Sequence, residues 1–320
     1  MLASQSTRDD ARGCFQPMRC LIAVTAVILV ACVPCHAKTI RLVTIGNSFS
    51  GNATRYLCQI AKAAGDEVVL ARADLPGCPM DRHWKCVEAA EASPSAAEGR
   101  PYTMLVDGRS KHVSLKDMLT SDKWDVVTIQ QASMISSDLS TYEPYARNLL
   151  AFARKNAPQA EVLIHETWAY RCDDPRFVPG KDSQARMYRD LRAAYHATAK
   201  ELGLRIIPAG DAVYAAETDP EWSYKPQGFD QAKMTYPDLP AQPHSMHVGW
   251  EWLKDKTSGQ YKLTLDGHHL SQLGCYLVGC VWYEFLFGKS VESNAYVPRG
   301  ISALDARYSR VLAHKTVGAP

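Results

Sequence analysis

The sequence predicts an α/β protein built as a three-layer α/β/α sandwich, with a parallel sheet covered by helices on both faces. Three observations predict it. Composition is that of a globular chain, with 46% hydrophobic and 22% charged residues in 320. Short apolar runs alternate with helix-length segments, the pattern of β-α-β units. No internal repeat and no long linker divides the chain, so one domain holds them all.

In order, Thr39–Gly46 reads as a buried strand, Ala53–Ala64 as a helix and Glu67–Ala73 as a second strand. Asp125–Gln130, behind Trp124, is a third strand; Glu161–Thr167 is a fourth and Leu204–Pro208 a fifth. Helices fall between them at Tyr145–Arg154 and Ser183–Leu202, and the last strong one spans Leu270–Phe287. Two stretches rich in proline and aromatics, 93–111 and 219–261, read as loop insertions.

The first 37 residues are set aside as a signal peptide. Arg12 and Arg19 precede the uncharged run Leu21–Val33, and Cys35-His36-Ala37 follows as a cleavage site. That run is 13 residues, too short for a membrane-spanning helix. Met18 offers an alternative start. The expected product is an exported domain of residues 38–320, periplasmic or extracellular, beginning at Lys38. The competing route is a lipobox, Leu29-Val30-Ala31-Cys32, which would anchor the chain to a membrane through a lipidated Cys32.

Ten cysteines fall to six after cleavage at Ala37. Export permits disulfides, and Cys78 with Cys86 is the expected pair, being close together in an irregular segment. Cys275 and Cys280 share a helix but point to different sides. No CxxC or Cys/His spacing resembles a zinc site, and neither a metal nor an organic cofactor is expected. The 36 basic side chains balance 34 acidic ones without a dense basic cluster, which argues against nucleic acid as a partner.

Chemistry begins where the first strand ends. Gly46-Asn47-Ser48-Phe49-Ser50-Gly51 passes from a buried strand into a turn that opens a helix. Ligands gather at the carboxyl ends of parallel strands, so Ser48 is either a nucleophile or a helix cap. Near the other end, Leu265-Asp266-Gly267-His268-His269 places a carboxylate three residues before an imidazole. Asp266 would hold one ring nitrogen of His269 and leave the other to take a serine proton; His268 reads as a flanking polar residue.

Four ordered blocks resemble the SGNH (GDSL-like) hydrolases, specifically a mostly bacterial subfamily. They are GNSFS, the Gly77-Cys78 to His83-Trp84 segment, WDVVTIQQAS from Trp124 to Ser133, and DGHHLSQLG from Asp266 to Gly274. The resemblance spans about Ile40 to Lys289 and implies a flavodoxin-like sheet, the SGNH hydrolase fold. It implies Ser48 as nucleophile, His269 as base and Asp266 as its orienting carboxylate. The oxyanion hole would be the Ser48 and Gly77 N–H groups with the amide of Gln131, or of Gln130, since the family's Gly-x-Asn-Asp is absent here. The implied activity is an exported serine esterase removing acetyl or other acyl groups from an extracellular carbohydrate. A lipid or thioester acyl hydrolase, or an inactive glycan-binding module on the same fold, are the alternatives. The expected partner is a small-molecule or glycan ester.

Other residues have two readings. His83, Trp84, Trp168 and Tyr170 follow strands at the expected rim and could stack on a sugar ring or pack in the core. His165-Glu166 reads as a satisfied core pair, and His244 to His247 as a solvated loop. Asn52-Ala53-Thr54 is a glycosylation sequon whose place beside Ser48 argues against a glycan.

Overall fold

The computed structural model describes residues 37–319, so the expected signal segment, Met18 and Cys32 lie outside the described residues. From the N-terminal side the elements are β1 (Thr39–Gly46), α1 (Ser48–Thr54), α2 (Leu57–Ala63), β2 (Glu67–Asp74) and α3 (Met80–Ala92). Next come β3 (Tyr102–Val106), β4 (Arg109–Val113), α4 (Leu115–Thr120), β5 (Val126–Ile129), α5 (Tyr145–Asn156) and β6 (Glu161–His165). The chain closes with α6 (Gln184–Leu202), β7 (Arg205–Ile207), α7 (Ala209–Thr218), β8 (His247–Lys254), β9 (Tyr261–Leu270), α8 (Gln272–Phe287) and α9 (Ala303–Val317).

Five strands form one parallel sheet in the order β2-β1-β5-β6-β7. Numbering only those five gives 2-1-3-4-5, the flavodoxin-like order, whose switch point lies where β1 meets the third strand. Side chains alternate across the sheet and so supply two cores. Leu42 of β1 packs with Leu57, Ile60 and the apolar helix α8 on one face. Its neighbours Val43 and Ile45 pack with Met118, Leu149 and Leu191, from α4, α5 and α6, on the other. A helix apolar on all sides, as α8 is, has to be enclosed, and α7, α1 and α9 enclose it.

Several elements differ from expectation. The first helix begins at Ser48 and breaks near Tyr56 into α1 and α2. The first segment expected as a loop holds most of an antiparallel hairpin, β3–β4, and the second holds β8, which pairs with β9 just beyond it. The Asp266–His269 stretch lies on β9 rather than in a turn before a helix. The Cys78–Cys86 disulfide is not formed, and all six cysteines of the described residues are free. Cys86 sits within α3, which begins at Met80, so the helical rise carries it roughly 10 Å beyond Cys78, past the reach of a disulfide.

Candidate active site

Ser48 is held by the residue before it. The Asn47 side chain caps α1 by accepting the Phe49 N–H at 3.0 Å. Its amide donates to the Cys78 carbonyl at 3.1 Å and its oxygen also accepts from Gln130 Nε2 at 2.9 Å. One asparagine thus joins the ends of β1 and β5 to the loop after β2. Gly46 permits this closeness, because a Cβ there would collide with Ser50 Oγ and Gln130.

His269 arrives from β9, whose course is set from three sides. Leu270 N–H donates to Asn52 Oδ1 at 3.0 Å, Arg171 N–H donates to the Gly267 carbonyl at 2.7 Å, and Trp168 Nε1–H donates to the His268 carbonyl at 2.9 Å. Pairing with β8 is interrupted between His247 and Gly249 by a bulge, with Gly249 at φ 74°. The result is a relay. The Ser48 hydroxyl lies 2.9 Å from His269 Nε2, and His269 Nδ1 lies 2.8 Å from Asp266 Oδ2. With Nδ1–H donating to the carboxylate, Nε2 is the acceptor for the serine proton.

Asp266 is well suited to stay ionised. Burial alone would raise its pKa, but the close approach of both imidazoles and the N–H of His269 outweigh burial and hold it far below the usual carboxylate range. His268 is more than a flanking residue. Its Nδ1 approaches Asp266 Oδ1 to 2.8 Å, without the alignment of a full hydrogen bond, and its backbone N–H donates to the same oxygen.

A cavity of about 290 Å³ opens over this relay, bordered by Ser48, Gly77, Ser133, Tyr170, Arg176 and His269. Among the described residues the Ser48 and Gly77 N–H groups make no hydrogen bond, and both residues border that cavity. Gly77 has φ 58°, a conformation that favours glycine.

The two glutamines do not join them. Gln131 is fully buried, with its Nε2 donating to Thr141 and its Oε1 accepting from the Met80 and Ala132 N–H groups. Gln130 spends its Nε2 on Asn47, and its Oε1 on Ser50 and His165. Neither amide borders the cavity, so the expected glutamine donor is corrected to a pair of structural clamps.

Of the four candidate sugar-stacking residues, only Tyr170 reaches the cavity, its hydroxyl 3.1 Å from Ser133 Oγ and its ring 3.8 Å from the Arg176 guanidinium. His83 is buried between Tyr102 and the Gly46 carbonyl, and burial pushes its pKa down to about 4. Trp84 turns away to pack on Phe152 and bond Glu88. Trp168 is a foundation, stacked at 4.4 Å under Phe49, whose ring faces His269. His165 and Glu166 are no pair, since alternation sends them to opposite faces. His165 bonds Gln130, while both Glu166 oxygens are buried without a partner. His247 is not solvated either; it is buried against Glu217 and the Ala169 carbonyl, while His244 bonds Asp305.

Among the described residues, two groups have donor atoms close enough to share a metal: Asp266 with His268 and His269, and Glu166 with His196 and Asp211. The first is the relay itself. In the second, Asp211 already accepts from Arg192 and Tyr188. Asn47 and Asn52 are the site residues missed by sequence reasoning. Their signal was present: Asn47 precedes a helix-opening serine, the position of a cap.

The family model described as "Domain of unknown function (DUF4886)" matches residues 41–228. Among solved structures, a DUF4886 family protein from Bacteroides uniformis is 24% identical, covers 87% of this chain and 95% of its own, and superposes with a TM-score of 0.66. A candidate SGNH hydrolase from Slackia heliotrinireducens is 20% identical, covering 77% of this chain and 98% of its own at a TM-score of 0.45. A candidate GDSL-like lipase from Parabacteroides merdae is 13% identical, covering 78% and 95% at 0.41. No curated protein matches the chain.

Proposed function

Because this chain belongs to the DUF4886 family, whose function is unknown, its activity must be argued from its own site, and we propose that it is an exported serine esterase deacylating a carbohydrate. The observation that carries this reading is the continuous contact from Ser48 Oγ through His269 to Asp266, at 2.9 and 2.8 Å. A capping serine needs no imidazole at its hydroxyl, and a binding module needs no oriented carboxylate behind that imidazole.

Ser48 Oγ attacks the ester carbonyl while His269 Nε2 takes its proton. The charge that develops on the carbonyl oxygen falls to the free N–H groups of Ser48 and Gly77. Collapse breaks the bond to the alcohol oxygen, which receives the proton from His269. Water then attacks the acyl-serine, gives a proton to His269, and releases the carboxylic acid while Ser48 regains its hydrogen. Asp266 stays ionised and keeps the imidazole in the tautomer that accepts at Nε2. Tyr170 and Arg176 border the cavity where the alcohol half of the ester would lie.

A fluorophosphonate probe tests this on protein recovered from the culture medium or periplasm. Mass spectrometry should find the adduct on Ser48 and an N-terminus at Lys38, and Ser48→Ala should remove labelling and esterase activity together. Labelling that persists in Ser48→Ala would sink the nucleophile, and a lipid-modified Cys32 would replace soluble export with anchoring.

A further inference from the structure

Resting on that esterase reading, we propose that the acyl half of the substrate is a long or bulky apolar group, held in an open cleft between β2 and the β3–β4 hairpin. Ser48 stands on the boundary between two cavities. Asn47, Ser48 and Pro76 border both the cavity over His269 and a second one of about 740 Å³.

The chemistry decides which half of an ester goes where. His269 Nε2 must deliver a proton to the leaving alcohol oxygen, so the alcohol lies on the side where His269 and Tyr170 are found. The acyl group then takes the other side. That second cavity is bordered by Leu70, Leu75, Pro76, Met104, Leu105 and Trp124. Arg72 and Asp74 also border it, and burial pushes the Asp74 carboxyl up to about 7, so below that pH Arg72 is the charge this wall keeps. Its volume falls in the range that holds a drug-sized ligand, roughly 300–1,000 Å³, far beyond what an acetyl group fills.

The hairpin forms one wall of the cleft. Met104 and Leu105 lie on β3, which turns into β4 through Asp107 and Gly108 at φ 52° and 72°, the left-handed pair of a tight two-residue hairpin turn. Met104 is therefore the residue whose size should set the acyl length accepted.

The test is a series of p-nitrophenyl esters from acetate to decanoate, with a cinnamoyl ester beside it to separate a planar aromatic acyl group from a chain. The kcat/KM should rise at least about tenfold from acetate to octanoate or cinnamate, given the gain per methylene in an apolar pocket. Met104→Trp should cut the octanoate-to-acetate ratio at least about tenfold, and Met104→Ala should move the optimum to longer chains. Opposite shifts from two substitutions at one position are not a folding defect, and a melt of each variant checks this directly. An optimum at acetate, or a ratio indifferent to both substitutions, overturns the proposal. No turnover of any ester, with Ser48 unlabelled by the fluorophosphonate, is a different result and overturns the esterase reading beneath it.

Discussion

Both ends of the Gln131 amide are engaged, one on Thr141 and the other on the N–H groups of Met80 and Ala132. Truncation would strand those buried donors. Gln131→Ala should therefore lower stability by about 1–3 kcal/mol, read from a thermal melt, and leave kcat of the folded fraction within a few-fold of wild type. A loss of kcat on the order of 10²-fold at unchanged stability would restore the glutamine as an oxyanion donor. The glutamine pair itself was legible, since it ends an apolar strand. The direction of each amide was not. It depends on Thr141 and Met80, ten and fifty-one residues away in segments without periodicity. Asp266 and His269 were legible as a pair because a carboxylate three residues before an imidazole already limits what the two can do, whereas Ser48 as their partner was an implication of the resemblance.

Among the elements, the hairpin β8–β9 carries His269, and Asn52 on α1 fixes its end by accepting the Leu270 N–H. Asn52→Ala should lower kcat about tenfold with little change in KM, because the imidazole is left less well aimed rather than absent. Asn52→Asp keeps an acceptor at the same reach and should recover most of the rate. Equal losses in both variants would show that the contact matters only for packing. This hairpin was illegible in the sequence. Asp266-Gly267 has the signature of a turn, and β8 is half exposed, so its tryptophans do not mark a buried face. The parallel strands were legible because burial on both faces makes them continuous apolar runs. α1 was misread at its start because Ser48 and Ser50 are poor helix formers, and their place in the helix depends on the Asn47 cap.

For the molecule as a whole, Glu166 ties stability to pH. It sits at the end of β6 with neither oxygen partnered, and burial, with Asp211 nearby, pushes its pKa well above the ordinary 4.5. The folded state therefore keeps a proton that the unfolded chain releases above that value, so stability falls as pH rises from about 4.5 toward the folded pKa. Glu166→Gln removes the titration. Its melting temperature should match wild type near pH 4 and exceed it at pH 8 by about 2–4 °C, the shift expected for roughly 1 kcal/mol. Parallel melting curves across that range would show that Glu166 finds a partner in solution.

The bond between Ser48 and His269 joins residues 221 positions apart. A ribosome adding roughly 5–20 residues per second takes about 11–44 s to cover that distance. Through that interval Ser48 has no imidazole beside it, and a chain cut before Tyr261 never gains one. On the esterase reading proposed above, activity waits for β9 to dock on Asn52, which accepts the Leu270 N–H.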